Sequence, residues 1–316
     1  MKLNQIRDFV AVARAGSLRA ASRDLGIAQP SITKSIQALE QELGAPLFQR
    51  NVRGTNLTAL GTVFRKRAEI ALNELRRARE EVEQLTNGSG GSVAFGLSSA
   101  STLLFLSRAL KPFKKRYPDV SLRISNGIFP VTIPQLRDGQ LDFSVGPEPY
   151  DALGDDLVVE FLFENVRVAT CRKGHAKARA TRLAELTSES WVVTSATKNP
   201  LLDFNGIFER YSLEPPSDVV LCESSFGIAE LLLHSDMIGF LPRQWTDMPF
   251  LGDYLTAIPI REKVLGPNIS TIRRSNLPLT PAADYLLTLI KRAAVSYQEQ
   301  TLKTGTPQRL RSGASV

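Results

Sequence analysis

Apolar positions at the start of the chain recur at helical spacing. Ile6, Phe9, Val10 and Ala13 stand at i, i+3, i+4 and i+7, which gives one helix a single buried face, with Asn4 as its cap and Gly16 as its end. Ser17 is placed to cap a second, shorter helix through Ala20, Ala21 and Leu25. Gly26-Ile27-Ala28 makes the turn, since glycine readily takes the left-handed conformation that closes a helix. Pro30 suits the first turn of a third helix, where its missing N–H removes no hydrogen bond. In that helix Ile32, Ile36, Leu39 and Leu43 fall within about 60° of one another and form the expected core face. Pro30, Lys34, Gln37 and Gln41 lie opposite, with Thr33 at the flank. Residues 47–58 then read as a short hairpin with Arg50 and Arg53 near its tip.

A longer helical pattern follows. Phe64, Ala68, Ala71, Leu75, Ala78, Val82 and Leu85 alternate steps of 4 and 3, a three-heptad apolar seam with charges outside it. A helix of about 28 residues spans roughly 42 Å, longer than one domain requires. The seam predicts pairing with a second copy of the chain; packing against its own chain is the alternative. Asn87-Gly88-Ser89-Gly90-Gly91-Ser92 breaks the pattern and marks a domain boundary.

Beyond the glycines, strand-like runs (93–97, 120–124, 142–145, 166–170, 191–194, 219–222, 237–240 and 268–272) alternate with helical ones (103–117, 134–137, 201–211, 226–233 and 281–297). The alternation predicts an α/β region with mostly parallel strands in two lobes, hence a cleft. Ligands in such folds sit beyond the carboxyl ends of strands. Hydroxyl residues stand there three times: Ser98-Ser99 with Ser101-Thr102, Thr194-Ser195, and Ser224-Ser225. Together they suit a small organic anion such as a carboxylate or sulfonate; singly, each pair also fits a helix cap.

Charge sharpens the division. Residues 1–57 carry eight Lys or Arg against four Asp or Glu, whereas residues 88–316 carry 25 against 23, so the excess behind the net +7 is concentrated in the first segment, as a polyanion-binding head requires. No acid occurs between Gly26 and Leu39, so the first half of the third helix can enter a major groove without repelling phosphates. At 43% hydrophobic and 22% charged residues, wholesale disorder is excluded. Two cysteines cannot build a disulfide framework and fit a reducing compartment. Arg7 and Asp8 interrupt any secretory apolar core, and the uncharged stretch 86–107 holds 13 Gly, Ser, Thr or Asn among 22 residues, too polar to span a membrane. A cytoplasmic protein is expected.

The segments "AGSLRAASRDLGIAQPSITKSIQALEQELG" and "PLFQR…RGTNLTALG" closely resemble the N-terminal domain of LysR-type transcriptional regulators. The resemblance implies a winged helix-turn-helix whose recognition helix covers 30–43. Gln29, Pro30, Thr33 and Lys34 match the family's base- and phosphate-contact positions, and Arg53 matches the wing arginine; Ser31, Gln37 and Arg50 complete the candidate DNA-binding set. It further implies that Phe64, Ala68, Ala71, Leu75, Ala78, Val82 and Leu85 pair two subunits. The looser matches "LRDGQLDFSVG" and "MIGFLPRQW" imply a co-inducer domain shaped like two-lobed periplasmic solute-binding proteins. Ser98, Ser99, Ser101 and Thr102 match its first-lobe effector edge, with Pro147 bordering it. "HAKARATRL" departs from the family's usual His-Pro-Leu stretch.

Nothing in the sequence points to catalysis. It has no phosphate loop and no nucleophile elbow, and a zinc set drawn from Cys171, His175, Cys222 and His234 repeats no ligand spacing. No metal or cofactor is expected. The reading is a multi-domain α+β protein: a winged helix-turn-helix (1–58), a linker and dimerisation helix with hinge (59–88), an effector-binding domain (89–302), and a disordered tail (303–316). Within the effector domain, lobe I takes about 89–161 and 267–302 and lobe II about 162–266. Double-stranded promoter DNA, a small-molecule effector, a second or further copies (homodimer or homotetramer) and RNA polymerase are the expected partners. The competing readings are an α/β binding protein or enzyme whose N-terminal bundle serves only assembly, and a DNA-modifying enzyme, which would need clustered metal-binding carboxylates.

Overall fold

The computed structural model describes residues 1–51, 54–87, 90–127, 131–149, 153–194 and 199–304. They form two compact units whose main boundary falls between Val82 and Glu83.

The first unit holds α1 (Leu3–Ala15), α2 (Leu18–Leu25), α3 (Gln29–Leu43), the antiparallel hairpin β1 (Phe48–Asn51) and β2 (Gly54–Leu57), and the start of α4 (Ala59–Asn87). Gly16 and Gly26 close α1 and α2 at φ 67° and 65°, and the Ser17 Oγ accepts the Ala20 N–H at 3.0 Å. The first helix starts earlier than expected: Lys2 is its N-cap, so Asn4 lies inside the first turn. Phe9 is fully buried, its ring 5.1 Å from those of both Phe48 and Phe64. Burial of such a ring stabilises by about 1.5–3 kcal/mol. Leu39 faces this core and Ile32 and Ile36 a neighbouring one with Val12 and Ala21, but Leu43 is exposed where Gly44 ends α3.

The second unit is two-lobed. Lobe I contains β3 (Ser92–Leu97), α5 (Ser99–Ser101), a π-helical turn (Thr102–Leu106), α6 (Ser107–Arg116), β4 (Ser121–Asn126), α7 (Thr132–Arg137), β5 (Phe143–Pro147) and β6 (Leu157–Phe163). The chain then enters lobe II: β7 (Val166–Arg172), a 3-10 turn (Leu183–Leu186), β8 (Trp191–Thr194), α8 (Pro200–Glu209), β9 (Val219–Cys222), α9 (Ser225–His234), β10 (Gly239–Pro242), α10 (Gln244–Asp247), α11 (Pro249–Gly252), β11 (Leu255–Ala257) and β12 (Val264–Leu265). It returns to lobe I as β13 (Ile269–Arg274) and α12 (Pro281–Thr304).

The expectation of mostly parallel strands needs correction. In the lobe I sheet, ordered β4-β3-β5-β13-β6, only β3 pairs in parallel with its neighbours; β13, arriving back from lobe II, runs antiparallel between β5 and β6. In lobe II, β10, β11 and β12 all pair antiparallel with β7, while β8 and β9 are parallel and Trp191 adds a parallel bridge to Ile238. A chain that leaves a lobe and re-enters it reverses direction without a helical crossover. Each lobe has its own aromatic core. Phe95 stacks on Phe143 in lobe I, and in lobe II the fully buried Trp191 sits 4.6 Å from Phe240, its indole N–H donated to the Leu186 carbonyl. Helix α12 continues to Thr304, so the tail expected to be disordered from 303 begins inside a helix; 305–316 lie outside the described residues.

Candidate functional site

Three buried side chains fix the outward face of α3. Ile32 and Leu39 are fully buried and Ile36 nearly so, which leaves Gln29, Pro30, Ser31, Lys34 and Gln37 exposed on the other side. The helix has no side-chain N-cap, and proline stands in its first turn. Thr33, half-buried at the flank, donates its hydroxyl to the Gln29 carbonyl at 3.0 Å. The hairpin beside α3 is held by a residue that sequence reasoning passed over: Glu40 Oε1 accepts the backbone N–H groups of Leu47 at 2.7 Å and Phe48 at 3.0 Å. The Thr55 N–H donates to the Gly16 carbonyl, tying the second strand to the turn between α1 and α2. Arg50 lies in β1 opposite Thr55; Arg53 falls outside the described residues.

Along α4 the expected seam divides. Phe64 and Ala68 pack into the head's own core around Phe9, a correction to their placement in a subunit interface. They are spoken for because Gly61 lets the helix start against Leu47, just before β1: a Cβ there would meet the Leu47 carbonyl oxygen at 2.0 Å. Ala71, Leu75, Ala78, Val82 and Leu85 are exposed, Leu75 at 52%, Val82 at 64% and Leu85 at 71%.

In the second unit a small cavity of ≈ 40 Å³ lies between the lobes. Ser98, Ser99, Pro147, Thr194 and Ser225 line it, five of the nine expected effector residues. The backbones approach closely at the ends of β3, β4 and β5: the Gly127 N–H donates to the Leu97 carbonyl, and a Cβ on Gly146 would meet the Gly127 carbonyl oxygen at 2.2 Å. Three expected residues are not in the lining. Ser101 is fully buried with its hydroxyl bonded to that of Ser98, Thr102 begins the π-helical turn, and Ser224 caps α9 through the Gly227 N–H. Their hydroxyl pattern is that of helix starts, whose backbone donors claim nearby side-chain oxygens first. Ser195 falls outside the described residues.

The cavity also gathers residues that the sequence did not single out. Asn165 is buried and its Oδ1 has no hydrogen-bond partner. Arg167 brings a positive charge and donates to the Thr194 hydroxyl at 2.9 Å. Trp245, from lobe II, donates its indole N–H to the Ser99 hydroxyl of lobe I at 3.3 Å, so one expected effector contact is already engaged across the cleft. Asn165 and Arg167 lie where the chain passes between lobes, and only the fold makes that position special.

A model of bacterial regulatory helix-turn-helix proteins of the lysR family matches residues 3–62, and a model of the LysR substrate binding domain matches residues 86–295. The chain belongs to the LysR family. Similar proteins include the transcriptional regulator BudR of Raoultella terrigena, 37% identical over 244 residues that cover 72% of this chain and 83% of that protein. The regulator TdcA of Escherichia coli K12 is 27% identical over 283 residues, 90% of each. Among solved structures, CbnR, a LysR family transcriptional regulator, superposes with a TM-score of 0.69 at 20% identity, covering 93% of this chain and 99% of that one. Full-length CbnR complexed with its target DNA gives 0.68. At this identity the superposition speaks for the fold: a helix-turn-helix head and a two-lobed substrate-binding domain. Membership of the family makes the protein a DNA-binding transcriptional regulator, not an enzyme.

Two further reactive side chains of this LysR regulator, His175 and Cys171, are buried. His175 is buried, its Nδ1 accepting the Lys177 N–H and its Nε2 facing the Asp236 carbonyl, each at 2.9 Å. Nε2 therefore carries the proton. Burial pushes the Cys171 thiol up to about 11, while Cys222 is only partly buried and borders the cleft. Among the described residues no helix is long and apolar enough to cross a membrane.

Proposed function

We infer that two copies of this LysR regulator pair along α4 through Ala71, Leu75, Ala78, Val82 and Leu85, and that each copy then presents α3 to one half-site of a promoter. A homotetramer is a pair of such dimers. In each head, Gln29, Pro30, Ser31, Thr33, Lys34 and Gln37 meet base edges and phosphates, and Arg50 and Arg53 in the wing take flanking phosphates. The observation that carries this reading is the first half of α3: exposed, polar, free of carboxylates, and fixed from behind by fully buried Ile32. Bound at a promoter, the regulator acts on RNA polymerase, and that work places it in the cytoplasm. The domain limits that suit this reading are a head at 1–58, a linker at 59–88 and a sensor at 89–302.

The sensor takes a small organic anion between its lobes. Hydroxyls of Ser98, Ser99, Thr194 and Ser225 and the guanidinium of Arg167 favour a carboxylate or sulfonate, while Glu223 on the same lining rejects a dianion placed against it. A ligand preferring one lobe arrangement shifts the population of the whole assembly only by its differential affinity. The test is a mobility shift on DNA from upstream of the regulator's own gene at two salt concentrations, beside thermal-shift titration of the full chain with small organic anions. Retention above that on scrambled DNA and stabilisation by anions are expected. Equal retention overturns the DNA reading, and stabilisation by cations or bulky apolar molecules alone overturns the effector reading.

A further inference from the structure

Lobe II contains a second cavity, ≈ 340 Å³ in volume against ≈ 40 Å³ for the interlobe one. Only the larger lies within the range of about 300–1,000 Å³ common to small-molecule sites. Phe204, Ile207, Phe240 and Leu265 give it apolar walls, and Arg167, Arg210 and Asp203 give it charge. One side is α8. The other includes Leu265, Gly266 and Pro267, part of the segment by which the chain returns to lobe I.

Two features suggest that this space is meant to be filled. Gly206 stands in the interior of α8 and lines the cavity, yet its φ is not positive and a Cβ there meets no described atom within 4 Å. Glycine is disfavoured inside a helix, and neither strain nor close approach explains it here; what it leaves is room. Asp203, one turn earlier, has an Oδ2 sealed from solvent with no hydrogen-bond partner. The residue itself lines the cavity and brings a carboxylate to its wall.

We propose that the lobe II cavity is a second ligand site adjoining the interlobe cleft, with which it shares Arg167 and Thr194, for a small organic acid with an apolar body and a hydroxyl or ammonium group. The carboxylate faces Arg167 and Arg210, the body lies on Phe204, Ile207 and Phe240, and the added group donates to Asp203. Occupancy reaches the lobe hinge directly. The Gly266 N–H donates to the Asn165 carbonyl at 3.1 Å, joining the two crossing segments, and a Cβ on Gly266 would stand only 2.9 Å from Asn165 Nδ2 and 3.0 Å from Arg167 Cδ. With so little slack, a ligand against Gly266 and Arg167 biases the angle between lobes.

The test is calorimetric titration of the full-length protein with 2-hydroxy-4-methylpentanoate, leucine and 4-methylpentanoate. The hydroxy acid or leucine should bind at least about tenfold more tightly than the acid lacking a donor. Gly206→Leu grows a helix-favouring side chain into the open space, so binding should fall at least about tenfold while the melting temperature holds or rises; Arg210→Ala should also weaken binding. Gly206→Ala is the folding control. No binding by any of the three at about 10 mM overturns the proposal. So does unchanged affinity in Gly206→Leu, or loss with Ser99→Ala in the cleft but not with Gly206→Leu, which moves the acid to the interlobe site.

Discussion

In the head, the residues that matter for DNA lie within one helix and one hairpin, and the side chains that aim them are their near neighbours in sequence. Ile32 and Ile36 sit among the exposed Gln29, Pro30, Ser31, Lys34 and Gln37 that they position, and Glu40 reaches the hairpin seven and eight residues on. The sensor works the other way. Its cleft collects Ser98, Pro147, Asn165, Thr194, Ser225 and Trp245 from six distant segments, each lobe standing on its own aromatic cluster. A site written locally shows as a spacing; a site assembled by topology shows only after folding. The same contrast predicts how the two regions fail, since damage to the head core should erase DNA binding while leaving the sensor able to fold.

The strongest way to break that contrast is Phe9→Ala. Removing the ring that touches Phe48 and Phe64 should cost the head about 3–5 kcal/mol and abolish DNA binding. In scanning calorimetry the sensor transition should stay where it is; a shift of both transitions together would mean that the regions do not fold independently. Next comes Leu75→Asp. It places a charge on an exposed stripe, so the monomer should remain folded while sedimentation shows loss of the dimer and DNA affinity falls about a hundredfold, or about 2.7 kcal/mol.

How much of this was legible follows from the same distinction. The three head helices, the hairpin and the interlobe Ser98, Ser99, Pro147, Thr194 and Ser225 follow from i, i+3, i+4 spacing and from hydroxyls after strands. Strand β6 did not show, because Leu-Val-Val-Glu-Phe-Leu-Phe has neither strict alternation nor helical period. The antiparallel pairing of β13 depends on where a chain returns from, which no window of sequence contains. Phe64 and Ala68 fit the seam by spacing, yet a closer apolar partner, Phe9 with its neighbours, claims them. Ser101 and Ser224 kept the right residue type in the role of caps.

Smaller effects sharpen the picture. Glu40→Ala leaves two backbone N–H groups of the hairpin without their acceptor, an expected loss of about 1–3 kcal/mol confined to the head transition. The sensor has a pH signature of its own. Cys171 is held protonated by burial up to about 11 against an ordinary 9.0, so between these values the unfolded chain loses the proton first and stability falls as pH rises. Cys171→Ser should flatten that decline in thermal melts; an unchanged slope would assign it to other groups.

The central claim, that the first half of α3 reads bases, is tested most directly by fluorescence anisotropy of the full-length protein on upstream DNA and on a scrambled duplex. The wild type should prefer its own DNA by about a thousandfold or more. Gln29→Ala should shrink that ratio, whereas Lys34→Ala should weaken both duplexes alike and lower the salt slope by about one. A selectivity ratio that survives Gln29→Ala, with an unchanged salt slope in Lys34→Ala, would contradict the account.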